Sequence, residues 1–83
     1  MAVVMVERSF ATAEEFDVML VGSNPCLTLY NVRFVRSYGS PDRKRMICVY
    51  DAPDAESVRL ANRQGGKPFD RVWTADVRNA AEK

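Results

Sequence analysis

Two kinds of periodicity alternate along this chain, and their order leaves few folds open. Val3 to Ser9 is a run rich in β-branched residues and reads as a strand. Thr12, Ala13, Glu14 and Glu15 then match a capping box, in which the Thr12 hydroxyl accepts from the Glu15 amide while the Glu15 carboxylate reaches back. Phe16, Met19 and Leu20 follow at the i, i+3, i+4 spacing of a helix. Gly22, Ser23, Asn24 and Pro25 interrupt it, since Gly is a poor interior residue and Pro lacks an amide, so Cys26 to Tyr30 is predicted as a separate short helical piece. Val32 to Tyr38 and Arg45 to Tyr50 are strand-like and joined by Gly39 to Lys44, a turn-rich charged loop that makes a hairpin. Asp54 is a good N-cap for a helix to about Gln64, with Val58 and Ala61 facing inward and Gly65 and Gly66 stopping it; Arg71 to Arg78 is the last strand.

Strand, helix, strand, strand, helix, strand is the split βαβ arrangement, so the predicted fold class is α+β, ferredoxin-like: four antiparallel strands with the helices on one face. Eighty-three residues suit one domain spanning 1–83. A domain of this size buries only about 60–65% of its unfolded surface, so its core is marginal and outside help is expected. The strands supply a candidate. A sheet with one wet face should alternate apolar and polar residues, yet Val4 and Val6 stand against Val3 and Met5, Ile47 and Val49 against Met46, Cys48 and Tyr50, and Val72 against Trp73, Ala75 and Val77. Both faces are apolar. A second copy of the same sheet would cover the spare one, giving a two-fold homodimer, a dimeric α+β barrel with a closed interior.

The hairpin sorts the faces further. With Gly39 opposite Arg45, Arg36 opposes Cys48, Phe34 opposes Tyr50 and Tyr38 opposes Met46. Val35, Ile47 and Val49 then suit the helices, leaving Phe34, Arg36, Tyr38, Met46, Cys48 and Tyr50 to line the dimer interior. A one-residue change of register would undo this pairing.

Several function classes lose support from the residues themselves. Twelve Lys and Arg against eleven Asp and Glu leave a charge of +1, which gives no general pull toward nucleic acid or an anionic membrane. The two hairpin strands lack the aromatic signature of an RNA-binding sheet, and Asp42 to Arg45 read as a solvated turn. The first ten residues have no basic region ahead of their apolar run, and no stretch approaches a membrane span, so a cytoplasmic location with Cys26 and Cys48 as free thiols is expected. The chain has no histidine, which removes Ser-His-Asp and Cys-His nucleophile systems and the usual ligand for borderline divalent metals. There is no phosphate-binding glycine loop, and two distant cysteines do not hold an iron–sulfur cluster. No cofactor is expected and no metal ligands are assigned.

Val6, Glu7, Arg8 and Phe10, then Ser37 and Tyr38, then Cys48 to Val58 (C-V-Y-D-A-P-D-A-E-S-V), Gly66, Pro68, Asp70 and Val77 resemble the bacterial family called domain of unknown function 4242. The likeness covers nearly the whole chain; the Gly22 to Pro25 interruption departs from it. The resemblance implies a ferredoxin-like fold and a dimeric α+β barrel. It also implies nickel binding for some members, with histidine among the ligands, which a chain without histidine does not inherit residue by residue.

The candidate ligand-binding residues are Glu7, Arg36, Tyr38, Cys48, Tyr50 and Trp73. A charge directed into an apolar strand is costly unless paired, so Glu7 and Arg36 are either structural ion pairs or polar anchors. Trp73, Tyr38 and Tyr50 form an aromatic box or pack an interface. Cys48 is an inert small hydrophobe, or a reactive thiol if Arg36 lies opposite. The leading expectation is a non-enzymatic protein holding a small apolar or aromatic ligand between the sheets of a homodimer. A cofactor-independent oxygenase or isomerase, using Glu7, Asp76 or a tyrosine for proton transfer, comes next by analogy of fold. A structural interaction module is the third reading.

Overall fold

The computed structural model describes residues 1–22 and 24–80. Its elements are β1 (Ala2–Ser9), α1 (Ala13–Val21), α2 (Cys26–Leu29), β2 (Arg33–Gly39), β3 (Arg45–Ala52), α3 (Ala55–Gln64) and β4 (Arg71–Ala75). The four strands form one antiparallel sheet in the order β2-β3-β1-β4. This is the α+β, ferredoxin-like arrangement expected from the sequence.

The helices start where the caps require. The Thr12 hydroxyl accepts from the Glu15 amide at 3.2 Å, and the Glu15 carboxylate accepts from Ala11, one residue earlier than the cap itself. The Asp54 carboxylate accepts from both the amide and the hydroxyl of Ser57, at 2.7 Å each. The break after α1 is held by Asn24, whose Oδ1 accepts from the Cys26 amide and whose Nδ2 donates to the Ala61 carbonyl of α3. Gly65 is small for that reason, since a Cβ there would overlap the Asn24 side chain. Gly66 follows at φ +69°, the left-handed exit that only Gly adopts cheaply.

The core lies between the sheet and the helices. Val4, Val6, Met46, Cys48, Tyr50 and Val72 project from the strands onto Val58 and Ala61 of α3. Complete burial of Val4, Val6 and Val58 contributes about 1.5–3 kcal/mol each. Helix α1 is anchored at one end: Phe16 meets Phe10 edge to face, with ring centroids 5.5 Å apart, and its ring covers Gly39. Leu20, which shares the helical spacing of Phe16 and Met19, is 53% exposed.

The face assignment of the hairpin is corrected by the register. Phe34 does oppose Tyr50, but a β-bulge between Phe34 and Arg36 absorbs Val35. Beyond it Arg36 opposes Val49, Tyr38 opposes Ile47, and Gly39 opposes Met46. Met46, Cys48 and Tyr50 therefore lie on the helix side, sharing it with Val4 and Val6 through the pairs Val4↔Tyr50 and Val6↔Cys48. Ile47 and Val49, assigned by sequence to the helices, lie on the open face. The last strand also ends early, at Ala75, because Ala75 pairs with Val3 and β1 begins at Ala2. Both cysteines are free. No helix among the described residues is long and apolar enough to cross a membrane.

Candidate functional site

The six predicted site residues divide between the two faces of the sheet. Glu7, Arg36, Tyr38 and Trp73 are on the open face. There the Trp73 indole donates to the Glu7 carboxylate at 2.7 Å, and the Arg71 guanidinium lies 3.8 Å from the other Glu7 oxygen. Glu7 is thus both hydrogen-bonded and ion-paired. Arg36 and Tyr38 rim a shallow depression floored by Val3, Met5 and Val49. Cys48 and Tyr50 are buried on the helix side, so Arg36 is not opposite Cys48 and does not act on its thiol.

The guanidinium near Tyr50 is that of Arg8, which the sequence reading did not single out. Arg8 is 2% exposed. It donates to the Tyr50 hydroxyl at 3.1 Å, to the Asn62 carbonyl oxygen at 2.8 Å and to the Pro68 carbonyl at 2.8 Å. These acceptors are all neutral, and its buried Nε has no acceptor. No carboxylate among the described residues pairs with it. Asn62 is itself completely buried and turned by donating to the Val58 carbonyl at 2.8 Å. The signal for Arg8 was present in β1, where Val4, Val6 and Arg8 occupy alternate positions and so share the buried face. Burial pushes the Tyr50 phenol above its ordinary pKa; Arg8 opposes the rise and Cys48 adds to it.

Arg8, Cys48 and Tyr50 line a cleft of about 440 Å³ between the sheet and the helices. Gly22 and Asn24, on either side of the break between α1 and α2, are among its lining residues. Met19, Leu20, Leu27 and Phe34 form apolar walls, and Lys67 stands at the Gly22 end. The Lys67 Nζ passes 2.8 Å from where a Gly22 Cβ would sit, so a side chain at 22 would displace it.

A family model described as nickel responsive protein SCO4226-like matches residues 5–74. The chain belongs to the SCO4226-like family. Among solved structures, the crystal structure of SCO4226 from Streptomyces coelicolor A3(2) is similar in fold, with a TM-score of 0.62 at 19% identity, covering 96% of this chain and 100% of that one. No curated protein matches the chain. The SCO4226-like description names nickel, a borderline metal that imidazole and thiolate donors suit. There is no histidine, and no three Cys, Asp or Glu side chains cluster among the described residues. That donor set does not fit a nickel centre built within one chain.

Proposed function

We propose that this chain is a small-molecule-binding protein whose ligand occupies the cleft between the helices and the sheet. The supporting observation is the cleft itself: about 440 Å³ of largely apolar space onto which the polar atoms of Arg8, Tyr50 and Asn62 converge. Such a combination of apolar walls and a few convergent polar groups is the usual form of a ligand site. In this reading the ligand lies on the helix side of the sheet, and the open face with Glu7, Arg36, Tyr38 and Trp73 is left for a second copy of the chain. Among the described residues no His, Asp or Glu lines the cleft to act as a general base, which favours binding over catalysis.

The SCO4226-like description raises a second reading, response to nickel. One experiment separates the two: thermal-shift and NMR titration of the intact protein with small aromatic acids and amides, and in parallel with nickel chloride. The cleft reading expects stabilisation by at least one organic probe, with amide shifts at Cys48, Tyr50 and Asn62. Saturable nickel binding at one ion per chain with no response to any organic probe would replace it with the metal reading.

A further inference from the structure

The charge on Arg8 is a separate matter from the shape of the cleft. A buried guanidinium is costly unless a negative group or a full set of acceptors compensates it. Arg8 has three neutral acceptors for its five N–H donors, and its Nε has none. Among the described residues the charged side chains lining the cleft are Arg8, Arg33 and Lys67, all cationic, with no Asp or Glu. Of these, Arg33 is paired with Asp51, whereas neither Arg8 nor Lys67 has an ion-pair partner among the described residues. A partly enclosed cleft with low-dielectric walls and charge of one sign concentrates ions of the opposite sign.

We propose that the ligand is a small carboxylic acid with an apolar body: Arg8 receives the carboxylate, Lys67 attracts it from the Gly22 end, and Leu20, Leu27 and Phe34 cover the body. This rests on the cleft reading and goes further by fixing the ligand's charge. A carboxylate suits the guanidinium because its oxygens accept charge-assisted hydrogen bonds, about twice as strong as neutral ones. The apolar wall of Met19, Leu20, Leu27 and Phe34 disfavours a ligand that is anionic all round, since charges set against it would be stripped of water without partners.

The test is a titration of the full chain with 3-phenylpropionate, its neutral amide 3-phenylpropionamide, and inorganic phosphate, followed by NMR and calorimetry at low and high salt. The carboxylate is expected to bind about tenfold or more tighter than the amide. Phosphate is expected to bind more weakly than the carboxylate. Lys67→Gln, a change at a partly exposed site, should lower carboxylate affinity by a larger factor than amide affinity. Arg8→Lys keeps a charge and Arg8→Gln does not; if either fails to fold, the amide comparison and Lys67→Gln still decide. Equal binding of acid and amide would overturn the proposal while leaving the cleft as a ligand site. Phosphate binding as tight as the carboxylate would overturn the apolar-body part. Absence of binding by all three probes would overturn both this proposal and the cleft reading.

Discussion

At the scale of single residues, Tyr50 links the core to the cleft. Its ring packs edge to face on Phe34, with centroids 5.7 Å apart, and its hydroxyl accepts from Arg8. Replacing Tyr50 by Phe removes one acceptor of a buried charge and is expected to cost about 1 kcal/mol at neutral pH. The alkaline limb gives a sharper test. Burial, with Cys48 adding and Arg8 opposing, holds the folded-state pKa above the ordinary value of the unfolded phenol. Above that ordinary value the unfolded chain gives up a proton the native state keeps, so stability from this group is complete below it and is lost as pH rises toward the folded value. Urea unfolding at about pH 8 and about pH 11 should therefore show a smaller alkaline loss in Tyr50→Phe than in the parent. Equal losses would mean that the phenol ionises in the folded protein as readily as in the unfolded one.

At the scale of elements, α3 begins on a charge that can be titrated. The Ser57 hydroxyl and then its amide hold the Asp54 carboxyl below the usual carboxylate range. A depressed folded-state pKa contributes stability above the unfolded value that is lost as pH falls through the folded one. Asp54→Asn keeps an N-cap acceptor without the charge, so acid unfolding followed by circular dichroism should be less steep in that variant; an unchanged acid limb would remove Asp54 as a contributor. Both caps could be read from the sequence because capping is local chemistry, as were the order of strands and helices and the stop at Gly65 and Gly66. The hairpin faces could not. The bulge at Val35 has no local signature in this sequence, yet one absorbed residue moves Tyr38 from Met46 to Ile47 and Arg36 from Cys48 to Val49. The side of β3 that meets the helices depends on contacts distant in sequence, above all Tyr50 and Asn62 meeting Arg8, 42 and 54 residues away. The same distance explains why the predicted site separated. Cys48 and Tyr50 followed the Arg8 network inward, while Glu7, Arg36, Tyr38 and Trp73 remained outside.

At the scale of the whole molecule, the sheet is covered by helices on one side only. Val3, Met5, Ile47 and Ala75 on the other side are partly accessible, while Tyr38 is 56% and Trp73 41% exposed. The Trp73–Glu7 hydrogen bond matters here, because it pairs the indole donor with the carboxylate within one chain. A small domain with a marginal core gains most from covering such a surface, and an identical open sheet offers a self-complementary apolar partner. Interfaces of this kind bury upwards of about 1,000 Å² in total, within the reach of two four-stranded sheets. Light scattering at micromolar concentration is expected to give twice the chain mass. In Tyr38→Lys, a buried ammonium would face the partner sheet across the two-fold axis, so that variant should be a folded monomer by circular dichroism. Because the proposed ligand cleft lies on the opposite side of the sheet, the monomeric variant should retain its response to 3-phenylpropionate. Loss of that response with the fold intact would move the ligand to the space between the sheets, where Arg36, Tyr38 and Trp73 would hold it.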